Sequence, residues 1–199
     1  MSLVPEFMLG LWNAWIFVLA FLLLFIIWGI LDRLRGQKGS SRPDKPPFNE
    51  REEKLYGISQ LALWASNAYS IFLPLNLGTA WFHGGLVIYL FGMIFTIISG
   101  ITLDKTPVDK PATEGLYRIS RNPIYLGCFL IYIGTGIACA SWFFLLLTTI
   151  WIVLYDILIA PEEQWCLEKY GDTYREYMNR TPKWIGIPKS RLYNKETRR

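Results

Sequence analysis

The chain predicts an all-α, polytopic membrane protein with five transmembrane helices, and three observations lead there. Of its 199 residues 52% are hydrophobic and nine are Trp, a composition foreign to soluble α/β or all-β domains. The apolar residues gather into runs close to the roughly 20 that a helix needs to cross a hydrocarbon core about 30 Å thick. The cations are segregated: residues 33–54, 105–121 and 169–199 hold 7, 4 and 9 of the 20 Lys and Arg, whereas the stretches Pro74 to Ala80 and Ala140 to Ser141 hold none. By the positive-inside rule the three basic regions face the cytoplasm, which leaves the N-terminus outside and the C-terminus cytoplasmic. The net charge of +4 then reads as topology and attraction to anionic membrane lipids, not as nucleic-acid binding.

The first span, Met8 to Leu31, has no basic n-region and no small-residue cleavage site, and its apolar run is too long for a signal peptide, so it is expected to be an anchor. The leading MSLVPEF reads as a non-native leader with Met8 the expected start. SSRPDKPPFNEREEK, residues 40–54, is rich in proline and charge and predicts an extended cytoplasmic loop. Residues 1–55 thus form an anchoring helix with its linker, and residues 56–199 the membrane-embedded core. In the second span, Tyr56 to Leu75, steps of seven and four bring Ser59, Ser66 and Ser70 to one face with Gln60 and Asn67 beside them, a face that points at protein and not lipid. The third, Trp81 to Leu103, spaces Gly92, Thr96 and Gly100 by four, a ridge that lets another backbone approach closely.

The fourth span, Ile124 to Ala140, is preceded by Pro123, suited to the first helical turn, and by Asn122, an expected N-cap. The fifth, Trp142 to Ala160, runs into Pro161, where the hydrogen-bond ladder is interrupted and the helix is expected to kink or end. Glu162 and Glu163 emerge there and need cations.

Several chemistries leave no trace. No GxGxxG or GxxxxGK stretch is present to cradle phosphates, and no repeat of 20–50 residues is visible. Cys128, Cys139 and Cys166 lack metal or disulfide spacing and read as small apolar residues. His83, the single histidine, has no second ligand in the sequence around it and reads as a packed or interfacial side chain, so no metal site is expected.

Chemistry is left to two polar, aromatic blocks, EGLYRISRNPIYLG (Glu114 to Gly127) and PEEQWCLEKYGDTYREYMNRTPKWIG (Pro161 to Gly186). A cap alone accounts for Asn122 and Pro123, but not for Arg118 and Arg121 on the approach or for Tyr117 and Tyr125 on either side. In order, Gly115, Tyr117, Arg121-Asn122-Pro123, Tyr125, Gly127, then Glu162-Glu163, Tyr170-Gly171, Tyr174, Tyr177 and Pro182 resemble the pattern of the membrane-embedded methyltransferases typified by isoprenylcysteine carboxyl methyltransferase and its phospholipid methyltransferase relatives. The resemblance covers about residues 105–185.

That resemblance implies an S-adenosyl-L-methionine pocket in a cytoplasmic C-terminal region. Tyr117, Asn122, Pro123 and Tyr125 are expected to border the cofactor, Glu162, paired with Glu163, to meet its amino-acid end, and Asp109, Lys110, Pro111 and Ala112 to match the family's cofactor loop. The chemistry agrees, since an ammonium wants a carboxylate and an adenine wants an aromatic or apolar wall. Arg121 and Asn122 would mark the junction where a water-soluble cofactor meets a lipophilic acceptor held in lipid. Many family members have His where this chain has Asn122, and asparagine cannot titrate. Isoprenylcysteine enzymes place an arginine four residues before the first glutamate, where this chain has Leu158. Asp156 is an ionisable group about one turn inside the interface, either functional or snorkelling to headgroup water. As a functional group it would favour a lipid amine, orienting the ammonium and accepting its proton. Alternatives are a sterol-reductase-like protein, which would bind a nicotinamide cofactor, and a non-catalytic membrane scaffold. The oligomeric state is left open.

Overall fold

The computed structural model describes residues 9–34 and 48–187. The MSLVPEF leader, the start expected at Met8, the linker as far as residue 47 and the tail beyond residue 187 lie outside the described residues. Among those described the chain is all-helical: α1 (Trp15–Leu34), α2 (Glu50–Ser70), α3 (Ala80–Asp104), a 3₁₀ turn (Gly115–Arg118), α4 (Pro123–Ala138), α5 (Trp142–Tyr170) and α6 (Asp172–Arg180). α3 and α5 are long and apolar enough to cross a bilayer, and Trp15–Leu31 and Pro123–Ala138 are shorter apolar helices.

Where boundaries differ from expectation, hydrogen bonds explain why. α1 begins at Trp15, because the residues before it leave the helical path to pair with the segment after α2: Ala14 N–H donates to Leu73 O at 2.9 Å and Leu75 N–H to Trp12 O at 3.0 Å. The same pairing ends α2 at Ser70, short of Leu75. α2 in turn starts at Glu50, before the expected Tyr56, because Asn49 and Glu52 form a reciprocal capping box with both bonds at 2.9 Å. That box satisfies two otherwise orphaned N–H groups. The division expected after residue 55 therefore falls within α2.

α5 departs most. It neither stops at Ala160 nor ends at Pro161, but runs for 29 residues to Tyr170, about 43 Å at 1.5 Å per residue. The proline removes one ladder bond, and side-chain contacts on the turn that follows hold the helix. At Gly171 a φ of +57° turns the chain into α6, a helix the sequence reading does not anticipate.

The tightest contact joins α3 and α4, which run antiparallel. A Cβ added at Gly92 would lie 2.8 Å from Gly127 O, and one at Gly134 would lie 2.5 Å from Tyr89 N; Gly85 faces Gly134 O and the Ala138 backbone. Two glycines seven apart on each helix thus let the backbones touch, an interface made of dispersion and weak C–H···O contacts. The ridge expected at Gly92, Thr96 and Gly100 is buried throughout, and Gly100 receives the ring of Trp28 from α1. α1 is also held to α3 by Tyr89 Oη, which donates to Phe17 O at 2.9 Å.

α2 lies against α5, and Ser59, Ser66 and Ser70 are buried as expected. Each hydroxyl bonds back to a carbonyl of its own helix, to Tyr56, Ala62 and Asn67 at 2.6–2.9 Å. The serines therefore act as small residues that bring no unsatisfied polar group into an apolar setting. Outward faces carry Leu61, Val87, Ile94 and Val153, all exposed, as helices in lipid require.

The close approach of α3 and α4 sets a specific expectation. Gly92→Ala should lower stability by about 1–3 kcal/mol through overpacking, whereas Gly57→Ala, where an added Cβ meets nothing within 4 Å, should raise it by about 0.5–1 kcal/mol. Thermal unfolding in detergent decides this, and equal shifts for the two would remove the backbone-contact account.

Candidate active site

The site is assembled at the end of the bundle where α3 finishes and α4 begins. Gly115, with φ at +56° and a position where an added Cβ would lie 3.1 Å from Thr102 Oγ1, starts the 3₁₀ turn that presents Tyr117. Pro123 then opens α4 with no N–H to satisfy,. Between them Arg121 forms the hub. Its Nε and Nη2 donate to the two carboxylate oxygens of Glu163 at 2.9 and 3.0 Å, and its Nη1 donates to Met178 O and Thr181 O, both at 3.0 Å. Its own backbone N–H reaches Pro182 O at 3.0 Å. The side chains of both ions are only 12% and 11% exposed, so the pair depends on this bidentate, richly hydrogen-bonded geometry.

Asn122 occupies the N-cap position but makes no capping bond with its side chain, which corrects the expected role. Its Nδ2 donates instead to Glu163 Oε1 at 3.2 Å and Lys183 O at 3.3 Å. The larger attraction of a buried carboxylate, with the Lys183 carbonyl beside it, outcompetes the local cap. Tyr177 adds a further tie, its hydroxyl donating to Tyr117 O at 2.7 Å.

Beside this hub lies a cleft. Arg121, Asn122 and Glu163 form one edge, and Glu162 projects into it with its carboxylate held by Tyr125 Oη at 2.8 and 2.9 Å. The walls are Tyr117, Trp165, Tyr170, Tyr174 and Tyr177, with Leu103, Ile124 and Cys166. Burial pushes the phenols of Tyr174 and Tyr177 above the ordinary tyrosine range. Pro111 and Ala112 close the side contributed by the loop after α3, and Tyr170 Oη bonds that loop at Val108 O, 3.3 Å away.

Most residues expected from sequence therefore converge: Pro111, Ala112, Tyr117, Arg121, Asn122, Tyr125, Glu162 and Glu163 share one cleft. Pro123 is buried behind it. Asp109 and Lys110 line an adjoining recess with Pro111, Thr113, Tyr170 and Thr173. Asp156 does not line the cleft. Its Oδ1 accepts from Lys183 Nζ at 2.6 Å and from Trp184 Nε1 at 3.0 Å, so it is neither a simple snorkel nor a carboxylate awaiting an acceptor's ammonium. The reading from sequence missed Trp165 and Cys166 as wall residues, and Lys183 and Trp184 altogether. Only the position of the last two in the second polar block hinted at them. His83 is exposed, with Nδ1 2.7 Å from Thr79 O.

The hub predicts a clear energetic pattern. Arg121→Met strands the Glu163 carboxylate and should destabilise by about 3–5 kcal/mol. Adding Glu163→Gln should recover part of that loss, because neighbours in one network are not additive. Thermal unfolding of the two singles and the double measures the coupling, and strict additivity would contradict the hub.

Two comparisons place these features. A family model described as phospholipid methyltransferase matches residues 73–173, a stretch that contains α3, α4, α5 and most of the cleft. Over 79 residues the chain is 32% identical to protein-S-isoprenylcysteine O-methyltransferase of Schizosaccharomyces pombe, a match that spans 38% of this chain and 32% of that relative's length. With half of its length under the family model and the Arg121–Glu163 hub and Tyr125–Glu162 pair joining the helices within it, the chain belongs to the phospholipid methyltransferase family of membrane methyltransferases.

Proposed function

We propose that the chain is an S-adenosyl-L-methionine-dependent methyltransferase acting at the cytoplasmic membrane face, with five transmembrane helices, its N-terminus outside and its C-terminus inside. The observation that carries this is the carboxylate of Glu162, fixed by Tyr125 in an aromatic-walled cleft at the end of apolar helices. The residues fit the cofactor: Glu162 for the ammonium, the faces of Tyr117, Trp165, Tyr170 and Tyr174 for adenine and for a cationic centre. When bound there, S-adenosylmethionine supplies an electrophilic methyl group on a sulfonium. The chain's own contribution is alignment and exclusion of water, with Tyr125 orienting the carboxylate and the apolar wall of Leu103 and Ile124 keeping the cleft dry.

The acceptor proposed is lipophilic, a lipid amine in preference to a carboxylate. Arg121 is the one cation among the described residues lining the cleft, and its guanidinium is already engaged by Glu163 and two carbonyls. Leu158 is buried and apolar. A carboxylate acceptor would therefore meet no uncommitted cation in that lining. The isoprenylcysteine relative favours the alternative, carboxyl O-methylation of a prenylated cysteine.

Calorimetry of the detergent-purified protein should show binding of S-adenosylhomocysteine and none of NADPH; the reverse would favour a reductase. Glu162→Gln should weaken S-adenosylhomocysteine by about 1.5–3 kcal/mol through loss of a charge-assisted bond, and unchanged affinity would return Glu162 to an ordinary interfacial carboxylate. With radiolabelled S-adenosylmethionine, methyl transfer to phosphatidylethanolamine is the expected result. Transfer to a farnesyl-cysteine analogue alone would establish the carboxyl reading instead.

A further inference from the structure

We infer that Lys183 is a positioning residue: with Asp156 it clamps α5 across its proline turn, and so fixes the carboxylates of Glu162 and Glu163 in the cleft. The inference starts from helical periodicity. Asp156 and Glu163 are seven residues apart on α5, two turns along one face, and Pro161 lies between them. That turn is the weak point of the helix, since Pro161 has no N–H to give and its ring crowds the preceding turn. Each of the two acidic residues carries one cation, Arg121 on Glu163 and Lys183 on Asp156.

Lys183 does more than pair charges. Its Nζ also donates to the backbone carbonyl of Asp156 at 2.7 Å, one residue before Ile157, whose carbonyl loses its i+4 donor to the proline. At the other end its own carbonyl accepts from Ser120 Oγ and Asn122 Nδ2, both at 3.3 Å. The next residue reinforces the hold: Trp184 donates to Asp156 Oδ1, and its ring packs on Phe129 of α4 at 5.4 Å. Gly186 N–H closes the segment onto Ile119 O at 3.1 Å. Residues 181–186 therefore form a strap from the Arg121 hub to the membrane side of Pro161, bracketing the proline with two ion pairs. Without the ammonium, α5 is free to hinge at Pro161 and the Glu162–Glu163 turn shifts against Tyr125 and Arg121.

The test uses the full chain in nanodiscs with Lys183→Met, which keeps the stem, Lys183→Arg, Pro161→Ala and the Lys183→Met/Pro161→Ala double. Two readouts are taken: S-adenosylhomocysteine affinity, which rests on the cofactor proposed above, and the distance distribution between spin labels at Ile150 and Glu168, which does not. Lys183→Met should weaken the ligand about tenfold and broaden the distance distribution. Lys183→Arg should stay within about threefold of wild type. Pro161→Ala should restore the double to within about threefold of Pro161→Ala alone, because a helix with its ladder intact needs no clamp. Equal losses from Lys183→Met with and without the Pro161→Ala substitution, or no loss in either case, overturn the inference. If Lys183→Met fails to fold, recovery of folded protein by Pro161→Ala supports the clamp and continued failure refutes it. Absence of ligand binding by the wild type, with the distance results as expected, would count against the cofactor and not against the clamp.

Discussion

The buried pair of Arg121 and Glu163 is the constraint from which the cleft end of the molecule is built. A guanidinium and a carboxylate taken out of water must satisfy nearly all of their hydrogen-bonding capacity, or the desolvation penalty unfolds the region. Arg121 does so by drawing on the extension of α5, the last turn of α6 and the strap that follows it. Three segments lying 42–60 residues further along the chain are thereby fixed to the start of α4. Glu162, adjacent to Glu163, inherits its position from this arrangement, as do Tyr117 and Tyr177. A site residue that looks catalytic by type can thus serve mainly by holding its neighbours.

The glycine contact between α3 and α4 complements this at the level of the backbone. Because Gly85 and Gly92 meet Gly134 and Gly127 directly, the two helices cannot rotate or slide without collision. Leu103 at the end of α3 and Ile124 at the start of α4 therefore stand at a fixed separation, and both line the cleft. A polar tie from Tyr132 Oη to Asn67 Oδ1, 2.6 Å, joins α4 to α2. Close backbone packing gives the rigid wall, and hydrogen bonding gives its orientation.

Features governed by local spacing were legible in the sequence. The serine face of α2, the small-residue ridge of α3 and the proline at the start of α4 follow from periodicity, and the ordered tyrosine, arginine and glutamate positions identified the cleft. What escaped depends on partners distant in the chain. Asn122 looks like a cap until Glu163, 41 residues later, offers a stronger acceptor. Asp156 looks like an isolated carboxylate until Lys183, 27 residues on, neutralises it. Pro161 looks like a helix end because the bonds that carry the helix past it are made by other segments. α6 is too short and too polar to announce itself by hydropathy, though it buries Tyr174 and Tyr177.

The strap also has a consequence for biosynthesis. Arg121 and the carbonyl of Thr181 that it binds are separated by 60 residues, which at about 5–20 residues per second represents about 3–12 s of translation. Over that interval α4 and α5 have emerged, yet the guanidinium lacks two of its carbonyl acceptors and Asp156 lacks its counter-ion. The ribosome thus delivers a nascent bundle whose charged centre is complete only when the strap arrives. A prematurely terminated chain would keep its apolar helices and still present unsatisfied charge at the membrane, a difference that cellular surveillance of membrane proteins can act upon.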